Sequence, residues 1–203
     1  MTATIAEASS SKQAGSRAHP NRWHDWPHFD EEQVAAAAAV LRSGKVNYWT
    51  GEEGRAFEQE FARACGAAFG IALANGTVAL ELALHVLGIG PGDEVVVTPR
   101  SFVASAAVVA LRGARPVFAD VDPDSQNITP ATVRPVLSSR TRAIIAVHLA
   151  GWPCDMQGLL ALAGEHDLKL IEDCAQAHGA TVQGRQVGSF GHVAAFSFCR
   201  TRS

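Results

Sequence analysis

The sequence lacks several features that mark particular classes of protein. It has no apolar run near the ~20 residues of a membrane span. Its net charge of −3 gives no indication of the basic surface that binds nucleic acids. Four widely spaced cysteines without a C-x-x-C pair predict neither a zinc site nor a disulfide framework. We therefore expect a cytoplasmic protein that contacts neither membranes nor nucleic acids.

Two further ligand classes are poorly supported. No G-x-G-x-x-G motif follows a predicted strand, since "GIGPGD" comes after a helix, and this disfavours a dinucleotide site. His24 and His28 have helical spacing, but Pro27 between them argues against a regular helix. We predict no metal site.

What is present is enough sequence for one domain with a sizeable core. The chain has 203 residues, of which 47% are hydrophobic and 18% charged. Residues 1–19 are Ser- and Ala-rich and polar, which predicts a disordered tail. Residues 20–203 show no internal repeat, and we expect them to form a single, incomplete domain.

From residue 70 onwards, short apolar segments alternate with helical ones. "GIALA", "DEVVVTP", "RPVFADV", "AIIAVH", "LKLIED" and "VAAFSF" have strand character, while "ATVQGRQVG" predicts a small hairpin. Helical patterns separate most of the strands. This alternation predicts an α/β fold, a mostly parallel sheet with helices on both faces.

Polar residues follow several of these strands, where parallel sheets bind their ligands. In "ALANGTVAL", Gly76 permits close approach of a ligand, and Thr77 adds a hydroxyl beside the free N–H groups of a helix start. That arrangement suits a phosphate. An Asn-Gly turn with a Thr cap also has a purely structural interpretation.

Asp173 ends the apolar strand "LKLIED", where a carboxylate is costly unless it meets a cation or hydrogen-bond donors. One partner of this kind is the protonated ring nitrogen of pyridoxal 5'-phosphate. Gln176 would then bond the phenolic oxygen, Phe102 would stack on the ring, and Ser197 would reach the phosphate. Each assignment has a structural alternative: Asp173 caps the next turn, Phe102 packs in the core, and the Ser197 hydroxyl bonds neighbouring backbone groups.

Taken together, these segments resemble a known family, the DegT/StrS-type sugar aminotransferases. The resemblance runs from about Trp26 to Cys199. It is carried by the ordered blocks "NYWTG", "FEQEFA", "NGTVALELAL", "GIGPGDEVVVTPRSF", "GARPVFADVD", "VHLAGWPCDM", "EDCAQAHGA" and "VGSFGHVAAFSFC". It implies the N-terminal part of the large domain of the aspartate-aminotransferase fold (fold type I), with pyridoxal 5'-phosphate as cofactor.

Residue by residue, the resemblance assigns Thr77 and Ser197 to the phosphate and Phe102 to ring stacking. It assigns Asp173 to the ring nitrogen and Gln176 to the 3-oxygen, and it places His178 near the reacting carbon. It implies a homodimer that moves an amino group from glutamate to a keto-sugar nucleotide.

The chain departs from the family where the Schiff-base lysine is expected, because Arg202 occupies that position. A guanidinium stays protonated and cannot condense with an aldehyde. We therefore expect that the chain is truncated before its lysine and is inactive as written. Our hypothesis is that a frameshift caused the truncation. A sugar dehydratase of the same family and a non-catalytic binding or regulatory remnant are the alternatives.

Overall fold

The computed structural model describes residues 28–198, which fall in two compact units divided after Gly51. The predicted tail (residues 1–19), His24 and Arg202 lie outside this range. In the first unit, helix α1 spans Glu31–Ser43. The Asp30 side chain accepts the N–H of Gln33, and the Gln33 side chain accepts the N–H of Asp30. This capping box explains where the helix begins.

The second unit alternates helices and strands as the sequence predicts. Its helices are α2 (Glu53–Cys65), α3 (Gly76–Val86), α4 (Ala104–Leu111), α5 (Pro130–Val133) and α6 (Met156–Glu165). Its strands are β1 (Glu94–Val97), β2 (Arg115–Phe118), β3 (Thr141–Val147), β4 (Lys169–Asp173), β5 (Thr181–Val182), β6 (Arg185–Gln186) and β7 (Val193–Ala195). Helix α5 is short, and a 3-10 turn with Pro135 follows it.

Five strands form one sheet in the order β2-β1-β3-β4-β7, and every pairing in it is parallel. Alternate side chains along each strand face opposite sides. Val97 and Ile145 pack in one cluster with α3 and α4, whereas Val96 and Ile144 pack in another with α5 and α6. The prediction of a mostly parallel sheet with helices on both faces is therefore confirmed.

The predicted hairpin is confirmed as the antiparallel pair β5 and β6. The prediction of a strand at "GIALA" is wrong, because residues 70–74 have no strand assignment and pair with no strand of residues 28–198. Ile71 in this segment is 70% exposed, so its apolar character does not reflect burial in the sheet. The predicted last strand "VAAFSF" is shorter than expected and ends at Ala195.

None of the helices within residues 28–198 combines the length and apolarity that crossing a membrane requires.

Candidate functional site

The carboxyl ends of the strands place most predicted site residues along one edge of the sheet. Because all pairings are parallel, the segments that follow β1, β3, β4 and β7 emerge at the same edge. Asp173 pairs in register with Ala195, two residues before Ser197. Phe102 follows β1, and both Gln176 and His178 follow β4.

One end of this edge combines the start of α3 with the end of β7. The Asn75 side chain caps α3 by accepting the N–H of Val78 at 3.0 Å, and the geometry of a helix start leaves the N–H groups of Gly76 and Thr77 without intrahelical acceptors. A Cβ atom on Gly76 would lie 2.8 Å from Cβ of Ser197 and 3.3 Å from its Oγ. Only glycine therefore brings the amides of α3 so close to the Ser197 hydroxyl.

Asp173 lies at the carboxyl end of β4, between β3 and β7, and is 5% exposed. Its Oδ2 accepts the hydroxyl of Ser105 at 2.8 Å, and its Oδ1 accepts the N–H of Ala175 at 3.2 Å. Burial raises the pKa of the Asp173 carboxyl, although these two hydrogen bonds and the nearby His148 work against the rise. A charged ligand group near this carboxylate would relieve the cost of its burial.

Gln176 and His178 both lie exposed in the turn after β4. Oε1 of Gln176 accepts the N–H of Ala150 at 2.8 Å, which ties this turn to the segment after β3. The His178 ring lies 5.4 Å from Phe196 and 5.0 Å from Phe198, the two residues that flank Ser197. Partial burial lowers the pKa of His178, so its imidazole is neutral at neutral pH.

Phe102 is 60% exposed, and no ring contact to it is seen among the described residues. Its backbone carbonyl accepts the N–H of Ser105 at 3.2 Å, which puts Phe102 one turn from the Asp173 contact. The structure thus links Phe102 to Asp173, and Gly76 to Ser197. Lys169 starts β4 at the opposite end from Asp173.

Sequence reasoning assigned no role to two groups near Asp173, the Ser101–Ser105 pair and Glu172. Ser101 and Ser105 hydrogen-bond each other at 2.8 Å, and their i, i+4 spacing at the start of a helix is the signal that would have paired them. Glu172 is fully buried, and its carboxylate accepts the N–H groups of Gly188, Phe190 and Gly191 at 2.7–2.8 Å. No local sequence pattern indicates the hydrogen bonds between Glu172 and these three backbone N–H groups.

His148, Glu172 and Cys174 place potential metal ligands within 4.8 Å of one another. Nδ1 of His148 accepts the N–H of Cys154, so Nε2 carries the hydrogen that is donated to Glu172. Burial raises the pKa of the Cys174 thiol far above its ordinary value, and the nearby Glu172 and Asp173 add to the rise. Hydrogen bonding accounts for this group, since both His148 nitrogens are engaged and the thiol is neutral.

The residues fit a phosphorylated pyridine ring. Gly76 brings the start of α3 against Ser197, so helix N–H groups and a hydroxyl lie close together, as an anion site requires. The buried Asp173 carboxylate has a raised pKa and lies on the same edge.

The chain is similar to one family of known proteins. The DegT/DnrJ/EryC1/StrS aminotransferase family matches residues 27–203. A UDP-N-acetyl-3-dehydro-alpha-D-glucosamine 3-aminotransferase from Acidithiobacillus ferrooxidans is 52% identical over 153 residues, which are 75% of this chain and 42% of that protein.

Solved structures agree with the family match. An aminotransferase from Psychrobacter cryohalolentis is 56% identical with a TM-score of 0.85, over 87% of this chain and 45% of that one. A Streptococcus pneumoniae protein described as a sugar aminotransferase, in its PLP form, is 30% identical with a TM-score of 0.80, over 85% of this chain and 47% of that one. The chain spans less than half the length of these relatives. Its sheet corresponds to part of the fold type I aminotransferase architecture, and the chain belongs to the DegT/DnrJ/EryC1/StrS aminotransferase family.

Proposed function

We propose that this chain is the cofactor-binding part of a sugar-nucleotide aminotransferase and that it binds pyridoxal 5'-phosphate, or its amine form, at the carboxyl edge of the sheet. The observation that carries the proposal is Asp173. Asp173 is 5% exposed, the pKa of its carboxyl is raised by burial, and it shares an edge with the start of α3, which Gly76 brings close to Ser197. A pyridinium N–H with a phosphate on the same ring complements both features.

In this proposal the phosphate lies at the start of α3. The N–H groups of Gly76 and Thr77, the Thr77 hydroxyl and the Ser197 hydroxyl donate hydrogen bonds to it. The close approach of Gly76 and Ser197 supports this assignment. The α3 dipole adds a favourable field for the phosphate dianion.

Asp173 then holds a proton on the ring nitrogen, Phe102 covers one ring face, and Gln176 bonds the 3-oxygen. When bound, the cofactor supplies an electron sink for the carbon that bears the transferred amino group. Ser105 and Ala175 keep the Asp173 carboxylate oriented by hydrogen bonds to its two oxygens. The neutral imidazole of His178 is available to accept a proton near the reacting carbon.

The Acidithiobacillus ferrooxidans relative supports a keto-sugar nucleotide as amino acceptor, and the family resemblance supports glutamate as donor and a homodimer. The widely spaced cysteines without a C-x-x-C pair support a cytoplasmic location. Arg202 stands at the lysine position of the family, and Lys169 begins β4 at the far end from Asp173. We therefore propose that the chain as written holds the cofactor non-covalently and does not transaminate.

The test uses pyridoxamine 5'-phosphate, because it lacks an aldehyde and cannot label lysines. We expect saturable binding by isothermal titration calorimetry, with weaker binding after Thr77→Val or Ser197→Ala, and weaker binding of pyridoxamine without its phosphate. The loss of one hydrogen bond to a charged group corresponds to about tenfold in the dissociation constant. Ser139→Ala is the matched control because Ser139 is exposed and lies outside the edge.

The proposal fails if the ligand does not bind, or if Ser139→Ala weakens binding as much as Ser197→Ala. Turnover of a keto-sugar nucleotide by the chain as written would refute the non-covalent, inactive assignment.

A further inference from the structure

Ser105 is a buried hydroxyl in direct contact with the candidate ring-nitrogen residue. It is the second residue of α4 and is 1% exposed. Its Oγ lies 2.8 Å from Oδ2 of Asp173 and 2.8 Å from Oγ of Ser101. The contact joins residues 68 positions apart, so it is made by the tertiary fold and not by local chain geometry.

The hydrogen bonds of this group have a defined direction. An ionised carboxylate only accepts hydrogen bonds, so the single hydroxyl proton of Ser105 is donated to Asp173. Ser105 therefore has only its lone pairs for Ser101, and Ser101 is the donor in that contact. The result is a directed relay from Ser101 to Ser105 to Asp173.

The relay stabilises negative charge at one oxygen of Asp173. The other oxygen accepts the N–H of Ala175. Hydrogen bonds in a chain polarise one another, which strengthens the final donor. His148 and Cys174 are the neighbouring titratable groups whose electrostatic interactions involve Asp173.

We propose, building on the proposed function, that Ser105 is a positioning residue that keeps Asp173 ionised and aimed at the cofactor ring nitrogen, with Ser101 as the second member of its relay. Without the relay, a carboxylate in this buried setting takes the proton that the ring nitrogen would otherwise carry. The relay thus determines which of the two atoms holds the proton.

The first measurement needs no cofactor. The Asp173 carboxyl is followed by 13C NMR across pH in the ligand-free chain, and its resonance is assigned with Asp173→Asn. We expect Ser105→Ala to raise the titration midpoint, Ser101→Ala to raise it less, Ser105→Thr to restore it, and Ser139→Ala to leave it unchanged. An unchanged midpoint in Ser105→Ala overturns the proposal. Should that variant not fold, Ser101→Ala decides, because it keeps Ser105 in place.

The second measurement uses pyridoxamine 5'-phosphate labelled with 15N in the ring. We expect a pyridinium chemical shift in the wild type and a shift toward unprotonated pyridine in Ser105→Ala, with Ser105→Thr restoring the wild-type value. Weaker binding with an unchanged 15N shift would reveal a merely structural residue and overturns the proposal. If the wild type does not bind this ligand, the proposed function fails, whereas the carboxyl titration still decides whether the relay exists.

Discussion

Nε2 of His148 lies 3.2 Å from Oε2 of Glu172, and neither side chain is exposed to solvent. Burial opposes the charge on Glu172, but hydrogen bonds from His148, Gly191 and Gly188 hold the pKa of Glu172 below its ordinary value. Its carboxylate joins the end of β3, the end of β4 and the segment that leads into β7. Ser197 follows β7, so the contact bears on the geometry of the candidate phosphate end.

Glu172→Gln should destabilise the second unit strongly. An amide retains one acceptor oxygen but turns an NH₂ group toward backbone N–H donors, which leaves buried donors unpaired. We expect a loss of about 3 kcal/mol in the free energy of unfolding, measured by urea titration. Glu165→Gln is the control, because its ion pair with Arg134 is half-exposed and should contribute less than about 1 kcal/mol. Equal losses in the two variants would contradict a special role for Glu172.

Glu94 should make the fold acid-sensitive. Ser138, Arg115 and Arg140 donate to this carboxylate and lower its pKa from 4.5 to about 2. A lowered folded-state pKa adds stability that is complete above the ordinary value and is lost as the pH falls from 4.5 toward 2. Glu94→Gln should lower Tm at pH 7 and flatten the decline of Tm below pH 5. Glu60→Gln, at an exposed position, should follow the wild-type curve.

Gly76→Ala and Gly164→Ala should change stability in opposite directions. Alanine normally stabilises a helix by about 0.5–1 kcal/mol relative to glycine. At Gly164 an added Cβ meets nothing within 4 Å, so we expect that gain in urea titration. At Gly76 the Cβ would meet Cβ of Ser197 at 2.8 Å, and overpacking of this kind costs about 1–3 kcal/mol.

The two glycine variants should also differ in ligand binding. Gly76→Ala should abolish calorimetric binding of pyridoxamine 5'-phosphate, because the methyl group separates the amides of α3 from Ser197. Adding Ser197→Gly should recover the lost stability but not the binding. Binding that persists in Gly76→Ala would place the phosphate elsewhere.

The α/β architecture could be predicted because strand and helix periodicities are properties of short segments. β1, β3 and β4 read as apolar runs since both faces of the sheet are covered. Residues 70–74 are also an apolar run, yet they pair with no strand of the described residues. An apolar run reports burial potential, and whether it becomes a strand depends on a partner elsewhere in the chain.

Most of the candidate site was predicted from one rule, that ligand-binding residues lie at or just after the end of a strand, although Gly76 and Thr77 follow residues 70–74, which have no strand assignment. Asp173 and Ser197 satisfy that rule, and the parallel sheet brings their strands side by side. Ser105 does not, because it lies inside a helical segment and meets Asp173 only through the packing of α4 on the sheet. Long-range hydrogen bonds of this kind leave no local signal in the sequence.

Asp173→Asn should reveal a trade-off between stability and ligand binding. Burial raises the pKa of Asp173 above its ordinary 3.8, so its favourable contribution to stability is complete below that value and is lost as the pH rises through the raised pKa. Asparagine mimics the protonated form, and its NH₂ group can donate to Ser105, which then donates to Ser101. We expect the ligand-free variant to match the wild type at pH 3 and to exceed its Tm at pH 7, by about 2–4 °C for each kcal/mol relieved. Pyridoxamine 5'-phosphate should reverse that order at pH 7, because it stabilises only the protein it binds. An Asn variant that melts below the ligand-free wild type at pH 7 would show that the buried carboxylate stabilises the fold, and that Asp173 is not held ready for a cation.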